Sequence, residues 1–468
     1  MLPIILTKDS AIVTQVERQV RDLIENGRLA PGARMPSVRR LAKDLGISTF
    51  TVVNAYDRLA ASAYIRARQR AGFYVVEKQL DHVEEKSVST LPIGPSWLFR
   101  ALHDSSGTIK AGAGVLPLDW FDEEALKRCA RSALRLSGKS FGEYPQVLGY
   151  RPLRELIALK LIETGITAQA DQILLTSGAS HALDLVLRTL VRPGDTILVE
   201  DPGYYALYSY LKMHDINFVA IPRSREGLDL DALERAIREH KARVIVLNSL
   251  LHNPTGATLQ PINAHKILGL AERHNLTIVE DDIYGDFYKG RAFRIANLDQ
   301  LERVVYLSSF SKTISANLRL GYVAAHTDIL ARLAERKQAT CLATSEISER
   351  IAAELLASGE YRRQMARIRE RLAAKQTGVV ARLADAGFSV SEEPEGGFFL
   401  WACMKDGRSS DHLAEAALRQ RLVLAPGSLF SSTATPSAWV RFNIAVCDSV
   451  LFEERLAACL TDIGYMRP

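Results

Sequence analysis

Between residues 196 and 325 the chain repeats one pattern, a short unbroken apolar run followed by a longer stretch with helical spacing. The runs are Thr196–Val199, Val244–Leu247, Thr277–Val279, Val304–Leu307 and Tyr322–Ala325. Strands that read as continuous apolar runs are buried on both faces, and strands separated by helices pair in parallel, because a parallel neighbour needs a crossover. The pattern predicts an α/β body with a large, mainly parallel sheet. From about residue 326 it turns helical, and after Gly396-Gly397 it ends in a smaller α/β portion.

The first 79 residues differ. They hold thirteen Lys/Arg against seven Asp/Glu, a net +6, while the whole chain carries +5. A small basic module on a near-neutral body suggests an anionic polymer as its partner. Val13, Val16, Val20, Leu23 and Ile24 recur at helical spacing and stop at Asn26-Gly27. Ser37 reads as the N-cap of a short helix that Gly46 ends. Ser48 reads as the cap of a helix from Thr49 to about Ala61, its inward face Val52, Ala55, Tyr56 and Leu59. Two β-like runs, 64–67 and 72–76, flank the polar tip Arg68-Gln69-Arg70-Ala71. Helix, turn, helix and β-wing make a winged helix-turn-helix. Residues 80–110 lose charge and periodicity to Ser, Pro and Gly and read as a linker. The expected domains are therefore 1–79, a linker 80–110, and 111–468.

A hydrophobic share of 47% and a charged share of 24% exclude disorder as the overall state. No apolar run approaches the ~20 residues that span a bilayer. The start, MLPIILTKDS, has no basic n-region and no cleavage site, so it is not read as a signal peptide. Cys129, Cys341, Cys403, Cys447 and Cys459 form no CxxC pair, which points to reduced thiols in a cytoplasmic protein and away from a disulfide framework or metal site.

The chemistry gathers in the body. Ser308-Ser309-Phe310-Ser311-Lys312-Thr313 is followed by Arg319-Leu320-Gly321. A lysine amine can condense with an aldehyde, and hydroxyls with an arginine suit a phosphate dianion. Asn253-Pro254-Thr255-Gly256 follows a strand, Asp281 ends another, and Tyr284 lies three residues on. A carboxylate facing a pyridine nitrogen keeps it protonated, and amide and phenol donors suit a ring oxygen. Glu280-Asp281-Asp282 could instead be a metal cluster, but neighbours on a strand point apart. Thr176-Ser177-Gly178-Ala179-Ser180 precedes a helix expected over 181–191, whose N-terminus offers N–H groups to a phosphate. Pro202-Gly203-Tyr204 can present an aromatic face.

Two resemblances follow. The stretch from Gly27 to Ile65 resembles the GntR-type winged helix, which implies double-stranded DNA as partner. The resemblance places Ser48, Thr49, Thr51 and Asn54 at the groove, Ser37 and Arg39 on the backbone, and Arg68 and Arg70 on the wing. The set NPTG, D-x-x-Y, SFSK and R-x-G resembles a fold-type-I aminotransferase domain, which implies pyridoxal 5'-phosphate (PLP) as cofactor. It assigns Lys312 to the internal aldimine, Asp281 to the pyridine nitrogen, and Asn253 and Tyr284 to the phenolic oxygen. Ser309, Arg319, Ala179 and Ser180 go to the phosphate and Tyr204 to ring stacking. Tyr144 matches the tyrosine that reaches the phosphate of a partner subunit, and Arg441 the clamp on a substrate α-carboxylate.

Winged helix and aminotransferase-like domain together resemble the MocR subfamily of GntR-type transcriptional regulators. That implies a homodimer, head to tail, whose large domain senses PLP, an amino acid, or both. Two alternatives stay open, a working aminotransferase with an accessory DNA domain and a DNA-binding protein with an inert body. Arg362, Arg363, Arg367, Arg369 and Arg371 read as a solvated helix face ahead of a further DNA contact.

Overall fold

Ser37 and Ser48 each open a helix by accepting a backbone N–H three residues on, Arg40 at 3.3 Å and Thr51 at 3.0 Å. They start α2 (Val38–Leu45) and α3 (Thr49–Ala61), which follow α1 (Ile12–Glu25). Gly46 closes α2 in the left-handed conformation, φ +65°, that a Cβ disfavours. The strands β1 (Ile65–Arg68) and β2 (Gly72–Val75) pair antiparallel as the wing. Val52, Ala55, Tyr56 and Leu59 are fully buried against Val16, Val20 and Leu41, as the spacing predicts. The computed structural model describes residues 2–7, 11–26, 28–68, 71–76, 92–103, 107–135, 142–290, 292–391 and 393–465. They divide into two compact units, residues 1–87 and 88–468.

The larger unit is built on eight strands: β3 (Ile173–Thr176), β4 (Thr196–Asp201), β5 (Asn217–Ser224), β6 (Gly227–Leu228), β7 (Val244–Leu247), β8 (Thr277–Asp281), β9 (Val304–Ser309) and β10 (Gly321–Ala324). Their spatial order is β3-β10-β9-β8-β7-β4-β5-β6. The pairs from β9 through β5 are parallel, while β10 runs antiparallel to both its neighbours. All five strands expected from apolar runs are present. The C-terminal portion holds a second, antiparallel sheet in the order β11-β12-β14-β13, formed by β11 (Phe388–Val390), β12 (Phe399–Met404), β13 (Ala425–Pro426) and β14 (Trp439–Asn443).

Part of the stretch expected as a linker packs into the larger unit. Residues Pro95–His103 form α4, and Trp97, Leu98 and Ala101 are buried in the core of the larger unit. Ile109 bridges to Leu422, and the Gly112 N–H donates to the Val423 carbonyl at 2.7 Å. Glycine is required at 112, because a Cβ there would stand 2.4 Å from the Ala425 nitrogen.

Candidate functional site

The sheet's register brings the phosphate candidates together. Thr176 on β3, Gly321 on β10 and Ser309 on β9 stand side by side. Because β10 is antiparallel, its first residue lies at the edge where the other two strands end. A Cβ on Gly321 would stand 2.8 Å from the Gly178 carbonyl carbon and 3.0 Å from the Ala179 nitrogen. There the helix Ala179–Leu190 begins, two residues earlier than the sequence suggests. Gly178 precedes it at φ +84°, and no side chain caps that N-terminus. Arg319 curls back so that its Nη2 donates to the Ser177 carbonyl at 3.3 Å. Ser309 Oγ donates to the Leu320 carbonyl at 2.9 Å, accepts the Ser311 N–H at 3.1 Å and lies 3.0 Å from Ser311 Oγ. The amides of Ala179 and Ser180, a positive helix end, a guanidinium and a hydroxyl thus line one cup, which suits an anion.

Beside the cup, Tyr204, Asn253, Asp281 and Tyr284 line one cavity, Asp281 at the end of β8 and Tyr204 just beyond β4. Burial pushes the Asp281 carboxyl up to about 7. Among the described residues no cation comes close enough to form an ion pair with it, and the Lys312 charge offsets its burial only in small part. Burial, followed by the Arg441 and Arg319 charges, pushes the Lys312 amine down to about 8. Burial also raises the Tyr204 and Tyr284 phenols, which stay protonated donors.

Arg441 enters from β14, where it pairs in register with Trp401 and Ala425. It is 1% exposed. Its Nη1 donates to Asn253 Oδ1 at 2.6 Å and its Nη2 to the Gly112 carbonyl at 2.6 Å. The guanidinium lies over the faces of Phe399 and Phe430, 4.4 and 4.8 Å from their centroids. Its Nε has no partner, and among the described residues no carboxylate pairs with it. Such a buried cation calls for a carboxylate from outside the chain. The bond to Asn253 Oδ1 also orients that amide, leaving Nδ2 as the free donor.

Sequence reasoning missed the scaffold behind these residues. The Asn248 N–H donates to Glu200 Oε2 at 2.7 Å, and Arg223 bonds both Glu200 and the Asn248 carbonyl. Asn248 Nδ2 donates to the Asp281 carbonyl at 2.6 Å, and its Oδ1 accepts the Asn253 N–H at 3.0 Å. A lone Asn and Glu in apolar surroundings carry no spacing signal. Gly112 escapes sequence reasoning because it stands just past the stretch that reads as a linker, although the small-residue run 111–114 marks a tight passage.

The carboxylates flanking Asp281 do point apart. Glu280 accepts the N–H groups of Ile295 and Ala296, both at 2.9 Å, while Asp282 holds Arg294 at 2.5 Å and the Tyr306 hydroxyl at 2.6 Å. The arginine stretch is paired within its own unit. Arg362 meets Glu163, Arg363 Glu360, Arg367 Asp122 and Arg371 Asp119, and Arg369 bonds the Asp286 carbonyl. Tyr144 lies away from these contacts, 86% exposed.

In the small unit the cap of α3 also places side chains. The Ser48 and Thr51 hydroxyls are 2.8 Å apart, so both are held in the first turn. Ser37, Arg39, Ser48 and Thr49 are exposed, and Asn54 is half-buried. Arg68 stacks over Tyr74 at 4.7 Å. Arg70 lies outside the described residues.

Comparison with known proteins identifies the families of both units. The aminotransferase class I and II family matches residues 107–458, and the family of bacterial regulatory proteins, gntR family, matches residues 12–75. An HTH-type transcriptional regulator of Escherichia coli K12, YdcR, is 30% identical over 92% of this chain and 94% of its own length. The 2-aminoadipate transaminase of Thermus thermophilus is 31% identical over 74% of this chain and 88% of its own. Among solved structures, the α-aminoadipate aminotransferase LysN of T. thermophilus, complexed with N-(5'-phosphopyridoxyl)-L-leucine, superposes with a TM-score of 0.71 at 26% identity, covering 78% of this chain and 94% of that one.

Proposed function

The chain belongs to the class I and II aminotransferase family and carries a gntR-family head, and from that premise we propose that it is a cytoplasmic, DNA-binding transcriptional regulator of the MocR type whose large domain holds PLP and senses it, an amino acid, or both. Residues 1–79 would be the DNA-reading domain, 80–110 the connection and 111–468 the effector domain, working as a head-to-tail homodimer.

The residues fit the cofactor. The uncapped helix at Ala179 and Ser180, with Ser309 and Arg319, would take the phosphate, and Tyr144 would reach that of the partner subunit. Asp281 would face the ring nitrogen, whose charge answers its raised pKa. Asn253 Nδ2 and Tyr284 would donate to the ring oxygen, and Tyr204 would cover a face. PLP bound there supplies an aldehyde and an electron-accepting ring. Lys312, with its amine pKa near neutrality, can present a free electron pair to that aldehyde.

The observation that carries the sensing role is Arg441, a buried cation that touches Asn253 and pairs with no carboxylate among the described residues. An amino acid would bring that carboxylate. Drawn between Arg441 on the small sheet and the cofactor residues on the large one, it would contact both portions at once, the differential contact a switch needs.

The same residues suit a working aminotransferase, and the aminotransferase relatives favour that second reading. One experiment separates them. Purified protein is titrated with amino acids while cofactor absorbance and binding to its promoter DNA are followed, beside a multiple-turnover assay with amino and keto acids. The regulator reading expects a spectral change and altered DNA binding without turnover. Sustained turnover with no effect on DNA would make it an enzyme.

A further inference from the structure

Helix α3 carries an apolar pair that its fold does not use. At about 100° per residue, the buried stripe Val52, Ala55, Tyr56 and Leu59 lies on one side and Phe50 falls almost opposite its centre. Phe50 is 72% exposed and Val53, one turn on, 38% exposed. Ser48 and Thr51 are tied up in the N-cap beside them, and Thr49 is the exposed neighbour. A phenylalanine so placed loses hydration favourably only when a partner covers it.

The surroundings identify that partner. The unit's exposed cations include Arg39 and Arg40 on α2 and Arg68 on the wing, within a segment of net charge +6. Such a surface attracts a polyanion, and Phe50 sits on the first turn of the helix that a winged helix-turn-helix lays in the major groove. The apolar feature on the base edges there is the thymine C5-methyl group. We propose that Phe50 and Val53 read thymine methyl groups, so that each operator half-site carries a fixed T·A pair chosen by apolar contact. The inference rests on the DNA-binding reading and adds to it the residues that set base preference.

The test uses the full-length protein. Binding sites are selected from random duplex DNA with the wild type and with Phe50→Ala, Phe50→Leu and Val53→Ser. The expected wild-type site holds an invariant thymine that becomes degenerate with Phe50→Ala and is retained with Phe50→Leu. Replacing that thymine by deoxyuridine removes only the methyl group. It should weaken the wild type about three- to tenfold, the scale of one or two lost methyl contacts, and leave Phe50→Ala unchanged. Because Phe50 is exposed, its variants should melt with the wild type. A selected site that deoxyuridine does not weaken, or one weakened equally for Phe50→Ala, overturns the inference while the DNA reading stands. Loss of self-association by Phe50→Ala with unchanged site preference would assign the pair to a second copy of the chain and overturn it too. Failure of the wild type to enrich any sequence overturns the DNA reading and this inference together.

Discussion

The side-chain amide of Asn248 donates to the backbone carbonyl of Asp281 at 2.6 Å. Through its Oδ1 the same amide holds the Asn253 N–H, so one side chain sets the spacing between the residue proposed for the ring nitrogen and the residue proposed for the ring oxygen. Asn248→Ala takes the amide away from two carbonyls, of Asp281 and Leu250, and from the Asn253 N–H in this half-buried loop, at about 1–3 kcal/mol for each group that stays dry. We expect a lower unfolding midpoint and cofactor affinity reduced about tenfold or more, about 1.4 kcal/mol. Cofactor titration of the variant at a temperature where it is fully folded checks this, and wild-type affinity would remove Asn248 from the site's support.

Lys312 gives a pH dependence with a definite sign. Burial first, then the Arg441 and Arg319 charges, lower its amine to about 8. At pH 7 about one amine in ten is then neutral, against about one in three thousand at an ordinary lysine pKa. Covalent uptake of PLP by cofactor-free protein should therefore speed up as pH rises through about 8 and level off above it. Mixing experiments between pH 6 and 9.5, followed at the cofactor's visible band, measure the midpoint. Removing a cation, as in Arg319→Ala, should raise it.

Stability follows the same shifts. A lysine pKa depressed in the fold favours folding only above its unfolded value, and that contribution is lost as pH falls through about 8. Asp281, raised to about 7, favours folding at low pH and loses that contribution as pH rises through about 7. Cofactor-free Lys312→Ala should thus melt higher than cofactor-free wild type below pH 8, and Asp281→Asn higher than wild type above pH 7. A thermal-melt series across pH 5–9 checks both signs, and either variant melting lower than wild type in its stated range would contradict the assigned burial.

How much of this was legible depends on the kind of signal each residue leaves. Helix α3 was readable to its ends because a serine cap and a 3.6-residue stripe are local, and the parallel strands because burial on both faces writes an unbroken apolar run. The helix after Gly178 was placed two residues late, since a glycine at positive φ lets a helix begin with no capping side chain. Helix α4 was hidden because it is short and flanked by Ser, Pro and Gly, and only the surrounding core explains Trp97. The motif residues of the site were legible as types at fixed spacing. Asn248 and Glu200 were not, because their partners come from other strands.

The phosphate cup depends on a close approach that only glycine allows. Gly321→Ala would put a methyl 2.8 Å from the Gly178 carbonyl carbon and 3.0 Å from the Ala179 nitrogen, both backbone atoms. The helix start must shift, so the amides that would meet the phosphate move with it. We expect PLP affinity to fall on the order of a hundredfold, about 2.7 kcal/mol, with overpacking costing about 1–3 kcal/mol of stability. Inorganic phosphate should compete with PLP at the wild-type cup and compete less well in the variant.

Arg441 separates holding the cofactor from sensing an effector. Its contacts are Asn253 and Gly112 with two aromatic faces, none of them in the phosphate cup. Arg441→Ala should keep PLP, though more weakly, because Asn253 loses the partner that orients its amide. It should lose the spectral response to amino acids, since a missing partner for a buried carboxylate costs about 2–5 kcal/mol. Arg441→Lys keeps the charge but not the two-pronged fork and should recover only part of the response. Lys312→Ala should remove the covalently held yellow band. Binding to promoter DNA without effector should survive in all three, because the reading head is a separate unit with its own core. The measurements are effector titrations of cofactor absorbance beside a reporter driven by the target promoter. A wild-type response from Arg441→Ala in both assays would rule out the carboxylate clamp. A response kept in the reporter alone would mean that the protein senses the cofactor itself.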